Sequence, residues 1–288
     1  MHRSRRWRPL VDYVLKGRPL VAAAFASHPI LFRPLLSDYL DARIPTRDRY
    51  LNFAHDLAFT AHRLQRSFPG FFPTRLEQTL WTDSGLHYAL VLALNVRDPQ
   101  EGLWRLSLRD GGGATVFHAS FAILPGGRLF IGAVQGANHG AMGDAPAAVR
   151  AATKHFDGLR PPFLLLHGLR RIAAVWGIGA MIGVSTRNQL TACAGRDKRA
   201  AVRFSYDRYF LEAGAQPSPC GNWALPTAPL AKPLADVPSR KRAMYRRRLL
   251  LLRHLDERIG SLLADGDLDC APGSNAREFC AEHTPIPF

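Results

Sequence analysis

The chain changes its apolar rhythm near residue 80. Before that point apolar residues fall at mixed three- and four-residue spacings over Arg18 to Phe32 and Thr46 to Gln65, the repeat expected of helices. In the second segment Tyr50, Phe53, Leu57, Ala61 and Leu64 share one face. Thr46 is placed to cap that helix, and Asp48 suits its first turn. Pro69-Gly70 closes this part. Beyond it the apolar runs shorten: His87 to Val96, Leu103 to Leu108, Thr115 to Leu124 and Arg128 to Val134. Gly111-Gly112-Gly113 and Pro125-Gly126-Gly127 punctuate them. Short apolar runs parted by Gly and Pro predict an antiparallel meander of about four strands, with Gly126-Gly127 the clearest hairpin turn.

A glycine-rich loop, Gln135 to Gly143, follows the meander. Ala145 to Phe156 then reads as a helix, with Asp144 as N-cap and Pro146 at its start. Leu159-Arg160-Pro161-Pro162 interrupts it. Phe163 to Trp176 is apolar on more than one face, which predicts a buried helix. Ala180 to Val184 reads as a buried strand, and Phe204 to Glu212 fits helix and strand equally. Ser218 to Pro238 is Pro-rich and predicts loop. Ser239 to Leu263 predicts a long helix capped by Ser239, and residues 265–288 read as poorly ordered. The fold class is α+β. The expected layout is a helical region over 1–80, an α+β core over 81–238, a basic C-terminal helix packed on it over 239–264, and a tail.

Composition adds one fact that the pattern does not. With 38 Lys and Arg against 23 acidic residues, the chain carries +15 among 288 residues. Such a balance favours anionic partners, and the dominance of Arg suits bidentate phosphate contacts. A high-GC coding bias explains the same Arg-, Ala- and Pro-rich composition, so both readings stay open. The four cysteines, Cys193, Cys220, Cys270 and Cys280, form no Cys-x-x-Cys pair and no zinc-like Cys/His spacing, so no metal is expected. Free thiols are favoured over a Cys270–Cys280 bridge. The longest apolar stretch, Ile172 to Ser185, falls short of the roughly 20 residues that span a bilayer. Arg3, Arg5, Arg6 and Arg8 before Leu20 to Ala26 imitate a signal peptide, but Lys16-Gly17-Arg18-Pro19 interrupts it. A cytoplasmic location, peripheral to the inner membrane, is therefore expected.

Five motifs stand in order along the chain: Glu101-Gly102; Ile131-Gly132-Ala133-Val134-Gln135-Gly136; Leu159-Arg160-Pro161-Pro162; Tyr206-Asp207-Arg208-Tyr209-Phe210; and Ser239 to Arg248 with its six basic side chains. Together they resemble the VirK/YbjX family of Gram-negative bacteria over most of the chain. The resemblance implies a role in virulence and envelope remodelling, including resistance to cationic peptides, and implies no particular chemistry. The order of elements also resembles acyl-CoA-dependent N-acyltransferases of the GNAT type. That likeness implies a loop, Gln135, Gly136, Ala137, Gly140 and Gly143, whose backbone N–H groups would hold the pyrophosphate or phosphopantetheine of acyl-CoA or an acyl carrier. The glycine spacing departs from the usual pattern of those enzymes, and Asp144 adds a negative charge beside the loop.

Three side chains are candidates for acid–base work: Glu101, His139 in the glycine-rich loop, and Tyr206. Each has a structural alternative: a turn residue, a solvent-exposed imidazole and a packed phenol. Asp207 reads as structural, orienting Arg208 or another Arg, and His118 as a packed or surface strand histidine. Arg240, Lys241, Arg242, Arg246, Arg247 and Arg248 are spread over several faces of a helix, while Leu252, Leu255, Ile259, Leu262 and Leu263 make an apolar stripe beyond them. Cations at a helix N-terminus oppose its dipole, so acidic partners within the protein or a bound anion are expected. Two functions follow. One is an acyltransferase; the other is a non-catalytic factor that binds anionic lipid, a protein partner or, less favoured, nucleic acid.

Overall fold

The computed structural model describes residues 19–67, 76–136, 145–193, 204–229 and 232–264. Helix α1 spans Pro19–Ser27. Two short turns, Pro29–Phe32 and Arg33–Leu36, follow it, so the helix expected from Arg18 to Phe32 is broken. Proline disfavours helical backbone in the residue before it, and His28 before Pro29 is non-helical at φ −133° and ψ 74°. Helix α2 is Thr46–Ser67. Phe53, Leu57 and Ala61 are buried on its apolar face, and Tyr50 is half-buried.

The sheet has eight strands, β1 Glu77–Thr82, β2 Tyr88–Leu94, β3 Trp104–Asp110, β4 Thr115–Leu124, β5 Arg128–Gly136, β6 Ala180–Gly183, β7 Gln216–Pro217 and β8 Trp223–Leu225. Their spatial order is β1-β2-β3-β4-β5-β6-β8-β7. Every pair is antiparallel except β5 and β6, which run parallel. The mostly antiparallel α+β architecture is thus as expected. β1 and the β7–β8 ribbon correct the detail. β1 begins inside the segment expected to be helical, and the ribbon forms at the start of the Pro-rich stretch, β7 just before it and β8 within it. Both are short edge elements whose strand character comes from pairing with a neighbour rather than from their own pattern.

Pro125, Gly126 and Gly127 form the three-residue β4–β5 loop between the paired Leu124 and Arg128, and its two glycines take φ +78° and +64°, left-handed positions that favour glycine. Between β5 and β6 the chain crosses over through α3, Ala145–His155, and α4, Pro161–Val175. The region Phe204 to Glu212 resolves as a helix, α5 Tyr206–Glu212, and the Ser205 hydroxyl accepts the Arg208 N–H at its start. The last helix, α6, is Ser239–Leu263. Pro238 holds its N-cap position, with no side-chain cap. Ser239 is therefore its first helical residue rather than its cap.

One face of the sheet packs on α4. Gly168 lets Leu90 and Leu106 approach α4 closely, since a Cβ there would sit 3.0 and 3.1 Å from their methyl groups. Trp104, Phe121 and Trp176 cluster at one end of that core. Leu255, Ile259 and Leu263 of α6 are buried, and α6 packs against α4 and β1. Burial of this size is the dominant favourable term in folding.

Candidate active site

The chain forms a polar site where β5 and β6 part. Their parallel pairing runs only from Arg128↔Ala180 to Ile131↔Gly183, after which Val184 N–H donates to the Ile131 carbonyl at 3.0 Å. β5 continues to Gly136 with β4 alone beside it. In its place stands α5. The Val134 N–H donates to the Tyr206 hydroxyl at 3.3 Å, and Phe210 lies so close to Gly183 that a Cβ there would come within 2.3 Å of its ring.

A bulge brings Glu101 into this gap. Ser120 pairs with Ala133 and Phe121 with Ile131, so Gly132 is an extra residue on β5. The Pro99–Glu101 turn presses against it: a Cβ at Gly132 would be 2.2 Å from the Glu101 carbonyl oxygen. Gly102, at φ +127°, lies equally close to the Phe121 backbone. The Glu-Gly and Ile-Gly motifs are thus two sides of one close backbone contact. Asn95 holds the turn from within. Its Nδ2 donates to the Asp98 and Gly102 carbonyls and to the Ser120 hydroxyl, and its Oδ1 accepts the Asp98 N–H.

The Glu101 side chain is 3% exposed. Its Oε1 accepts from Gln135 Nε2 and Gln189 Nε2, each at 3.1 Å, while Oε2 is buried with no hydrogen-bond partner among the described residues. Burial, then the nearby Asp98 charge, pushes its pKa up to about 8. Burial and the Glu101 charge raise the Tyr206 phenol well above its ordinary value, so it stays protonated. Beside them Arg105, Ser107, His118, Ser120 and Gln135 share one face of the sheet through direct cross-strand pairing. Burial, with Arg97 next, pulls Arg105 down to about 10. Burial, then Arg105 and Arg97, pulls His118 down to about 3 and keeps it neutral. Its Nδ1 is buried without a partner. A buried carboxyl with one unpartnered oxygen and a pKa near neutrality is suited to accepting a proton.

Of the expected site residues, Glu101, Gln135 and Tyr206 come together here. Gly136 ends β5 against the Phe117 ring. Ala137, His139, Gly140 and Gly143 lie outside the described residues, as do the Asp144 cap and Cys270 and Cys280. Cys220 is a free thiol. Next to Gly136 a cleft of about 530 Å³ is lined by Phe117, Arg150, Lys154, Arg160 and Phe204. Gln189 and Arg105 carry no sequence signal that marks them, because Gln189 follows a stretch without periodicity and Arg105 alternates like any strand residue.

The remaining motifs prove to be joints. Tyr209 donates to the Pro162 carbonyl at 2.8 Å, tying α5 to the start of α4. Asp207 does not pair with Arg208 as one reading had it. It accepts from the Thr186 N–H and from Trp223 Nε1, while Arg208 pairs with Glu212. The geometry is local: Arg208 and Glu212 are one helical turn apart.

The basic collar divides in two. Arg247 forms an ion pair with Asp157, Arg248 Nε donates to the Asp157 carbonyl at 2.6 Å, and Arg242 donates to the Val237 and Ala235 carbonyls. Arg240, Lys241 and Arg246 are exposed.

Residues 4–261 match the family described as a protein of unknown function (DUF535). The chain belongs to this family. Its relatives include an uncharacterised protein of Haemophilus influenzae, 27% identical over 86% of this chain and 83% of the relative. A Mannheimia haemolytica protein named membrane protein LapB is 25% identical over 59% of this chain and 73% of its own length. The uncharacterised protein YbjX of Escherichia coli K12 is 25% identical over 62% of this chain and 54% of its own length. No solved structure matches. The family shared with YbjX is the one its motifs resemble. No described helix is long and apolar enough to cross a membrane.

Proposed function

We propose that this DUF535 protein is an acyltransferase of the GNAT type, drawing its acyl group from acyl-CoA or acyl-carrier phosphopantetheine and delivering it to an amine of the envelope's inner side. The observation that carries the reading is the unpartnered Glu101 oxygen, buried where the parallel strands β5 and β6 part. A strand order with one parallel pair inside an antiparallel sheet also supports it. So does the cleft lined by Phe117, the ring that Gly136 abuts, whose Arg150, Lys154 and Arg160 suit an anionic phosphate chain. The name of the Mannheimia relative supports an envelope setting.

The residues present fit such a thioester donor. When bound, it supplies an activated acyl carbon with a thiolate as leaving group. Glu101 Oε2 takes the proton of the attacking amine, and its pKa near 8 matches that task at neutral to mildly alkaline pH. The Val134 N–H and the Tyr206 hydroxyl, now bonded to each other, are the donors available to a developing oxyanion. Tyr206, held protonated by burial and the Glu101 charge, serves as a hydrogen-bond donor rather than as a proton source.

Calorimetric titration of the full chain with coenzyme A and acyl-CoAs of several lengths tests the binding half. Saturable binding that survives high salt and disappears in a folded Gly136→Asp variant is expected. Undiminished binding in folded Gly136→Asp, or none in the wild type, would overturn it.

A second reading rests on α6. Leu249 and Leu250, 44% and 63% exposed, lie among Arg246 and Arg253, a combination suited to an anionic lipid surface. Binding to vesicles of anionic lipid should then weaken steeply with salt.

A further inference from the structure

A second cluster lies at the opposite edge of the sheet, on the β1–β2 hairpin. Asp83 is 7% exposed, and its Oδ1 accepts the Tyr88 N–H at 2.7 Å. That bond fixes the carboxylate and leaves Oδ2 facing two imidazoles. His155 Nε2, at the end of α3, stands 3.0 Å from it, and His87 Nδ1 stands 3.4 Å from it. The three donor atoms lie within 4.8 Å of one another. The His155 ring is held in place by Tyr88 and Phe156, at 4.9 and 5.0 Å between ring centres, and lies 5.3 Å from the His87 ring. Burial alone would raise the Asp83 pKa, yet the Tyr88 N–H and the two histidines hold it below its usual value.

We propose that Asp83, His87 and His155 form a binding site for a divalent transition metal ion such as Zn²⁺. Bonds near 2.1 Å at angles between octahedral and tetrahedral put neighbouring donors about 3.0–3.4 Å apart. The two contacts to Asp83 Oδ2 fall at the two ends of that interval. Two imidazoles and one carboxylate are the donor set of zinc and non-haem iron sites, and an all-oxygen set for Ca²⁺ or Mg²⁺ is absent from this cluster. Three protein ligands leave a position for water or an external ligand, and both histidines are exposed. The ion would also clamp the β1–β2 hairpin to the end of α3. The expectation of no metal came from Cys/His spacing. Asp83-x-x-x-His87 with a third ligand 68 positions later matches no such spacing, because the fold supplies the third donor.

The test is calorimetric titration of Zn²⁺ into the full chain, stripped with chelator and with its thiols blocked by iodoacetamide. Co²⁺ absorption serves as a second readout of coordination. One equivalent should bind, Mg²⁺ and Ca²⁺ should not compete, and His87→Ala should weaken binding at least tenfold. His87 is exposed, so this variant keeps the fold. Asp83→Asn, which retains an acceptor for the Tyr88 N–H, should weaken it similarly. Absence of a one-equivalent site in the wild type, or unchanged affinity in both folded variants, would overturn the proposal.

Discussion

At the scale of single residues the proposed chemistry centres on Glu101. Its folded pKa of about 8 lies above the 4.5 of an ordinary glutamate, so the native state keeps a proton that the unfolded chain releases. Its contribution to stability is therefore full at low pH and is lost as pH rises from about 4.5 through about 8. Glu101→Gln should flatten that decline in denaturant titrations run at several pH values, while lowering acyl transfer by roughly 10²–10⁴-fold, the usual worth of a general base. A variant whose stability profile matches the wild type would contradict the assigned pKa. Gly132→Ala drives a methyl into the Glu101 carbonyl. A cost of about 1–3 kcal/mol in urea unfolding is expected, with reduced transfer, because the turn carrying Glu101 must move. Glu101 and Tyr206 were legible as candidates from their motifs. The close glycine contact that explains the Glu-Gly pair was not, since it joins residues thirty positions apart through a bulge.

The informative piece among the elements is the fastening of α2 to the sheet. Asp56 is fully buried and accepts from the Tyr39 hydroxyl at 2.6 Å, the Ile123 N–H at 2.8 Å and the Leu103 N–H at 3.2 Å. Burial pushes its pKa up to about 7 against the lowering effect of these donors. Asp56→Ala strands three buried donors, so a loss of about 3 kcal/mol or more is expected in chemical denaturation. A loss under about 1 kcal/mol would mean that water replaces the carboxylate. Asp56 was not singled out by the sequence, because its partners lie on β4 and before β3, far along the chain. The meander, the Gly126-Gly127 turn and the long last helix were legible, because each rests on local periodicity or turn chemistry. β1, the β7–β8 ribbon and the position of Gln189 were not, since partners far along the chain decide them.

Across the whole molecule, charge and topology bear on the same question. Part of the net charge of +15 is used internally, where Arg247 and Arg248 dock α6 onto Asp157 beside α3. Reversing Arg247 and Arg248 would therefore loosen the joint to Asp157 as well as change the charge of α6. Reversing Arg240, Lys241 and Arg246 isolates any outward role. That variant should keep its melting temperature and lose salt-sensitive binding to anionic vesicles; unchanged vesicle binding would remove α6 as the contact. The proposed acyl transfer takes place in the gap between β5 and β6, with Glu101 as base. Its most direct test is thiol release from acyl-CoA and acyl-carrier donors, with an envelope extract as acceptor, followed against pH for the wild type and Glu101→Gln. A wild-type rate that climbs with pH toward a plateau above about 8 is expected, with no such limb in Glu101→Gln. No thioester turnover by the folded wild type, or an equal rate in the variant, would contradict it.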